Sequence, residues 1–267
     1  MRVLLINPFY PISETPSPPL GLAYLAAALE AAGIEVRVLD WVVYPYSEAA
    51  LAKVLDEFKP ALAGLTAVTM NVDRALAVAR AVKRLAPGTV TAMGGPHVTF
   101  CARETLEACP ALDVAVLGEG EQTLVELCRA VESGNDLDTV RGIAWRSGQE
   151  VRFTPRRGFI RDLDRLPMPA RHLLPLGRYR ALGMPLSMTT SRGCPHACIF
   201  CVGRRMVGAR VRFRSPALVA DEMEALAQRV PGKPLLHHRP RHAAADEQEL
   251  GRTLGCQVAR RLDQDLH

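Results

Sequence analysis

The sequence predicts an α/β fold, with a doubly wound parallel sheet of five strands over residues 1–140 and one further strand–helix unit after a connector. Three observations carry that reading. Short apolar runs alternate with Ala- and Leu-rich stretches of helical length. The apolar runs are continuous, as strands buried on both faces require. Most joints between them fall at Gly, Pro or Asn, the residues that punctuate regular structure.

The elements follow in order. Arg2–Ile6 is an apolar run that stops at Asn7-Pro8, a buried strand and its turn. Leu20–Ala32 reads as a helix closed by Gly33. Glu35–Asp40 is the second strand, and Ser47–Phe58 a helix capped by Ser47 and halted before Pro60. Ala61–Thr66 is a strand, Asp73–Leu85 a helix ended by Pro87-Gly88, and Val90–Met93 the fourth strand. Arg103–Ala108 reads as a short helix, Asp113–Leu117 as the fifth strand, and Glu121–Glu132 as a helix ending near Gly134. Strand and helix in strict alternation put helices on both faces of a parallel sheet.

Residues 141–185 read as a connector. Gly142–Arg146 and Glu150–Phe153 flank Ser147-Gly148 as a β-hairpin. The prolines of DLDRLPMP and of Pro175–Tyr179 then hold the chain extended. Arg156-Arg157 reads as a solvated edge, with a phosphate contact as the alternative. Residues 186–230 open the second unit: Leu186–Thr190 is a strand, a cysteine-rich loop follows, and a helix runs from Ser215-Pro216 to Arg229. Arg204, Arg205, Arg210 and Arg212 between them suit a surface loop, or the positioning of a carboxylate or phosphate.

The composition narrows the function classes. The hydrophobic fraction of 48% and charged fraction of 23% are those of a soluble globular protein. The net charge of +5 comes without a basic stripe interleaved with aromatics, which argues against nucleic acid. No run of 18 apolar residues argues for a membrane span, and Met1–Asn7 is too short for a signal peptide. Cys101, Cys109, Cys128 and Cys256 are scattered and read as reduced thiols, so the expected compartment is the cytoplasm.

The sharpest signal is SRGCPHACIFC, which spaces Cys194, Cys198 and Cys201 as Cys-x3-Cys-x2-Cys. Among seven cysteines such spacing arises by chance roughly once in 200 sequences. Three thiolates are one fewer than the corners of a cubane iron–sulfur cluster, so one iron stays open to a small molecule, as at a catalytic metal. Zinc is the competing reading, with His196 inside the loop as a possible further ligand. A disulfide is disfavoured by the reducing compartment.

Ligands of doubly wound sheets bind beyond the carboxyl ends of the strands, where strand order reverses. The residues at those ends are Asn7-Pro8-Phe9-Tyr10, Thr66–Asn71, Gly94-Gly95-Pro96-His97 and Gly118-Glu119-Gly120-Glu121. Glycine there lets a ligand approach the backbone. No dinucleotide fingerprint is present, because the first strand leads into NPFYP and GEGEQT lacks the third glycine.

The cysteine run resembles the signature of the radical S-adenosylmethionine (SAM) superfamily. The segments VLLINPFYP, PPLGLAYLAAALEAAGIEVRVLD, GGPHVT and VLGEGEQTLVEL, in that order, resemble the cobalamin-binding domain found ahead of the radical SAM barrel in one branch of it. The resemblance spans nearly all of residues 1–230. It implies three cofactors: a 4Fe-4S cluster on Cys194, Cys198 and Cys201; SAM on the open iron, with Phe200 near its adenine; and cobalamin. The corrin would be lined by Asn7, Pro8, Thr66, Gly94, Gly95, His97 and Gly118-Glu119-Gly120-Glu121. No histidine stands in a D-x-H-x-x-G motif, which implies cobalamin without a protein histidine beneath the cobalt. The implied reaction is SAM cleavage to a carbon-abstracting radical followed by methyl transfer, with a reducing electron donor and a small-molecule or peptide substrate as partners.

Beyond Arg229 the sequence changes character. PGKPLLHHRPRH shows no apolar strand, and residues 231–267 read as a divergent tail, disordered or forming one helix through Leu250, Leu254, Val258, Leu262 and Leu266. The further strand–helix units of a barrel are missing, so the expectation is a truncated or frame-shifted copy that turns over no substrate. The alternative function is a non-catalytic cobalamin-binding module or pseudoenzyme.

Overall fold

A computed structural model describes residues 1–9, 16–229 and 236–238. The first half alternates β1 (Arg2–Asn7), α1 (Leu20–Ala31), β2 (Glu35–Asp40), α2 (Glu48–Phe58), β3 (Leu62–Thr66), α3 (Val72–Leu85), β4 (Val90–Gly94), α4 (Pro96–Ala108), β5 (Val114–Val116) and α5 (Glu121–Ser133). A hairpin follows, β6 (Ile143–Ser147) and β7 (Glu150–Phe153). After it come α6 (Leu176–Ala181), β8 (Ser187–Thr189), β9 (Ser191–Arg192), α7 (Gly203–Val207), β10 (Arg212–Phe213), α8 (Pro216–Arg229) and β11 (Leu236–His238).

The strand order β2-β1-β3-β4-β5-β6-β7 makes one sheet of seven strands. The first five are parallel, as expected, and order reverses between β1 and β3. The hairpin corrects the expected five-stranded sheet. Rather than standing in a separate connector, β6 pairs antiparallel with β5, placing Ala115 opposite Ala144, and β7 pairs with β6. The physical reason is the edge of β5: its unpaired backbone groups are buried behind α4 and α5 and need partners.

Alternating strand residues build two cores. Leu4 and Ile6 face Leu51, Phe58, Leu76 and Val82 of α2 and α3. Val3 and Leu5 face Ala26 and Leu29 of α1 and Leu124 and Leu127 of α5. Local signals place the helix ends. Ser47 Oγ accepts from the Ala50 amide at 3.3 Å, and Gly134 closes α5 in the left-handed region at φ 63°.

The helix expected at Arg103–Ala108 is preceded by a helical stretch from Pro96, and the two meet at a kink where Cys101 leaves helical geometry (φ −126°, ψ 36°). The first stretch begins at Pro96 because Gly95 turns the chain immediately after β4 and proline suits the first helical position. The prolines after the hairpin do not keep the chain extended throughout: Pro175 precedes the short helix α6. The expected lack of a strand in PGKPLLHHRPRH is also corrected. Backbone at Leu236–His238 pairs in parallel with Ser187–Thr189, so β8 gains the neighbour a barrel calls for. The expected helix through Leu250–Leu266 lies outside the described residues.

A small third core joins β8 to α8 through Leu186, Met188, Val219 and Leu226. Beside it Glu222 receives two buried arginines, Arg171 at 2.5 Å and Arg214. Arg214 also donates to the Tyr24 hydroxyl of α1 at 3.4 Å, and the Ala170 amide donates to the Ala23 carbonyl at 3.0 Å. No helix among the described residues is long and apolar enough to cross a membrane.

Candidate site at the seam of sheet and cysteine loop

A cavity of about 590 Å³ opens at the carboxyl end of the sheet, between the strands and the α1–α5 pair. Its floor is Leu5, Gly64 and Ala92, residues of three adjacent strands that point to the same face. Leu22, Leu25 and Leu124 form the helical wall. The space exists because the central strands carry small residues there; larger ones at Gly64 and Ala92 would fill it. Thr66, Gly94, Gly95, Gly118, Glu119, Gly120 and Glu121 form the rim at the strand ends.

Two of these glycines do different work. Gly95 has φ 99°, and a Cβ there would meet the Ala67 carbonyl oxygen at 2.7 Å. It is required by the backbone. Gly94 has ordinary backbone, and its Cβ would find only the Val116 carbonyl at 3.9 Å. It keeps the cavity open.

The opposite rim belongs to the second half of the chain, where Thr189, Ser191, Arg192 and Gly193 line the cavity together with Met206 and Val207 of α7. The cysteine loop therefore leaves from the rim at Gly193 and returns to it through α7. Gly193 has φ 131°, and any Cβ would collide with the Arg210 carbonyl oxygen, so only glycine allows this exit. The loop is pinned by the Cys194 amide on the Gly208 carbonyl, 2.9 Å, and by the Cys201 amide on the Cys198 carbonyl, 3.2 Å.

Cys194 is half-buried, while Cys198 and Cys201 are exposed. The side chains of Ile199 and Phe200 stand fully in solvent. Among the described residues no group of three or more His, Cys, Asp and Glu is gathered closely enough to hold a metal. The chemistry of the donor set nevertheless fits an iron–sulfur cluster: three free thiols on one short loop, two of them open to solvent and none in a disulfide. The small-residue floor and glycine rim likewise suit a large ligand that must lie close to backbone.

The structure sorts the other sequence candidates. Asn7 and Pro8 do not line the cavity; Asn7 Nδ2 instead donates to Asp40 Oδ1 at 2.9 Å. Asp40 also accepts from the Tyr179 hydroxyl at 2.6 Å, tying β2 to α6. Burial raises the Asp40 pKa above the usual carboxylate range. His97 is also off the cavity wall, sharing a 3.1 Å hydrogen bond between its Nδ1 and Thr69 Oγ1, with its pKa lowered by burial. Phe200 stands apart from the cavity on the exposed loop.

Two arginine readings need correction. Arg157 is no solvated edge: it pairs with Glu126, and its Nε donates to Thr123 Oγ1 at 2.9 Å. Arg212 lies on no surface loop: its side chain is 9% exposed and binds the Glu119 carboxylate. Sequence reasoning missed Leu5, Leu22, Leu25, Gly64 and Ala92 as cavity residues. The only available signal was a glycine in the middle of an otherwise apolar central strand.

Residues 13–128 match the B12 binding domain family. The chain is 36% identical to an uncharacterized methyltransferase from Pyrococcus horikoshii, over 85% of this chain and 50% of that protein. It is 32% identical to an anaerobic magnesium-protoporphyrin IX monomethyl ester cyclase from Cereibacter sphaeroides, over 85% of this chain and 38% of that protein. The fold is similar to that of the radical SAM methyltransferase TsrM from Kitasatospora setae, solved with tryptophan and a SAM analog. That likeness has a TM-score of 0.77 at 25% identity and covers 97% of this chain and 51% of that one. The chain thus spans half or less of the length of the two curated relatives.

Proposed function

From the premise that this chain is one of the cobalamin-binding radical SAM proteins it resembles, we propose that it holds cobalamin in the seam cavity and an iron–sulfur cluster with SAM on the adjoining loop. The reaction proposed is methyl transfer to an unactivated carbon. The observation that supports this reading is the shared rim: the loop bearing Cys194, Cys198 and Cys201 starts at Gly193, a residue of the cavity wall. A corrin in the cavity and a cluster on the loop would then be neighbours.

When bound, the cluster supplies the electron that splits SAM, and cobalamin supplies the methyl group. The chain's own residues bind, orient and exclude water. Cys194, Cys198 and Cys201 supply the thiolates. Gly94, Gly118 and Gly120 let the corrin edge approach the backbone, and Thr66 offers it a hydroxyl. Leu5, Leu22, Leu25 and Leu124 give the deeper part an apolar, water-poor wall. Phe200, exposed beside Cys201, is placed to pack on a ligand held by the loop. The electron donor and the cytoplasmic compartment belong to the same proposal.

The test is anaerobic reconstitution with iron, sulfide and cobalamin, followed by metal analysis, absorbance and a SAM-cleavage assay. About four irons per chain together with a cobalamin spectrum that survives desalting are expected. Stoichiometric zinc that iron does not displace, or no cobalamin uptake, would overturn the reading.

A further inference from the structure

Glu119 and Glu121 stand on the cavity rim, where carboxylates would face a ligand, yet both oxygens of Glu119 and Oε1 of Glu121 already accept hydrogen bonds from the chain itself. Glu119 Oε1 accepts from Arg212 Nη2 at 2.9 Å and lies 3.5 Å from Arg192 Nη1. Its Oε2 accepts from Arg212 Nη1 at 3.0 Å and from the Ile160 amide at 2.6 Å. Glu121 Oε1 accepts from Arg192 Nη2 at 2.6 Å. Both glutamates and Arg212 are more than nine-tenths buried, and Arg192 is 16% exposed.

The two arginines flank the cysteine loop on either side. Arg192 immediately precedes Gly193-Cys194, and it pairs with Arg212 across the β9–β10 ladder. Arg212 further donates to the carbonyls of Val207 at 2.7 Å and Ile160 at 2.5 Å. Both ends of the loop, the linker at Ile160 and the β5–α5 turn thus meet at four ionised groups. Apolar packing over the loop is sparse, since Ile199, Phe200 and Val202 are exposed, so the polar contacts have to set its position.

We propose that Glu119 and Glu121 are positioning residues rather than cofactor contacts. They form a buried two-carboxylate, two-arginine clamp that fixes the cysteine loop against the cobalamin cavity and so sets the distance between the two cofactors. The assignment of cofactors rests on the function proposed above; the clamp itself does not. Arginine suits the role because its planar fork engages a carboxylate at two points and resists rotation. Removing one partner leaves the other charged and buried, so the loop would swing out toward water.

The test uses the full chain with Glu119→Gln, Glu121→Gln, the double variant, and the charge exchange Glu121→Arg with Arg192→Glu. The first measurement needs no cofactor: limited trypsin digestion at Arg204, Arg205 and Arg210. The double variant should be cut there about tenfold faster, with cleavage in the seven-stranded half unchanged. The exchange should recover part of the protection, which shows that the pair acts and not the side chains singly. The second measurement follows magnetic coupling between cob(II)alamin and the reduced cluster by electron paramagnetic resonance. Each cofactor should still bind with at most about threefold weaker affinity, while the coupling weakens or disappears.

Unchanged proteolysis in the double variant would overturn the clamp. So would a selective loss of cobalamin binding with loop protection intact, because the carboxylates would then be cofactor contacts. If the unaltered chain takes up no cobalamin, the function proposed above fails, and the digestion still decides the clamp. A double variant too unstable to purify would leave the single Gln variants and the exchange to give the same readouts.

Discussion

The seven-stranded half of the molecule fixes its ligand-facing residues by packing, whereas the half around the cysteine loop leaves two of its three thiols, Cys198 and Cys201, open to water. In the first, every rim residue ends or follows a strand buried on both faces, and helices of 11 to 14 residues cover the sheet. In the second, strands are two or three residues long, and four ionised side chains anchor a loop whose Ile199 and Phe200 touch almost nothing. A bulky ligand that binds largely through shape suits the first arrangement. A cluster whose sulfur and iron make the enclosing bonds suits the second, since the metal itself can draw the thiols together on binding.

The strongest way to break this comparison is to remove a thiol. Cys198→Ala should abolish cluster assembly, because two cysteines cannot hold the three ligated corners, and should leave cobalamin affinity nearly unchanged. Iron analysis and cobalamin titration on the same sample check both halves at once. If cobalamin uptake also disappeared, the two sites would not be separable and the contrast would fail.

Next in size is the cavity. Gly94→Leu should block cobalamin uptake while the protein stays folded, since the backbone there is ordinary and the added side chain enters open space. Gly95→Ala should instead destabilise the fold by about 1–3 kcal/mol, because its backbone conformation is close to glycine-only and its Cβ meets the Ala67 carbonyl. Chemical denaturation beside cobalamin titration separates the two. A Gly94→Leu protein that binds cobalamin normally would move the ligand elsewhere.

Thiol chemistry offers a third measure. Cys198 and Cys201 are exposed, while Cys109 and Cys128 are buried. Burial pushes the Cys128 thiol up to about 12, so its thiolate, the reactive form, is scarce at pH 8. Iodoacetamide should modify Cys198 and Cys201 first and Cys128 last, as followed by peptide mass spectrometry. Reconstituting the cluster should protect Cys194, Cys198 and Cys201 without altering the order of the rest. Early labelling of Cys128 would show that the first half opens more readily than its packing implies.

The same division explains what the sequence disclosed. The parallel strands were legible because burial on both faces forces continuous apolar runs, and Ser47, Gly33 and Gly134 marked helix ends by local chemistry. The cysteine loop stood out by the spacing of its cysteines together with the residues around them. The cavity floor was not, because Leu5 and Ala92 look like any core residues until the register brings them together with Gly64. Nor were the partners of Glu119: a carboxylate at a strand end reads as a ligand contact, and only the fold reveals Arg212, 93 positions away. The hairpin was visible as a hairpin, but its attachment to β5 is a long-range pairing that local sequence does not encode.

The smallest effect sets one hydroxyl in each half against the other. Thr91 Oγ1 donates to the Ala111 carbonyl at 2.6 Å and lies 3.0 Å from Asp113 Oδ2 in the seven-stranded half. Thr91→Val keeps the shape but strands a carbonyl, which costs about 1–3 kcal/mol. Ser191 Oγ is also buried, on the cavity's other rim, and has no hydrogen-bond partner among the described residues. An unpaired buried hydroxyl contributes nothing to offset its desolvation, so Ser191→Ala should change stability by less than about 0.5 kcal/mol, or raise it slightly. Urea unfolding midpoints of the two variants, measured without cofactor, give the comparison directly. A loss of more than about 1 kcal/mol in Ser191→Ala would mean that this hydroxyl is paired in solution and that the second half is as closely bonded as the first.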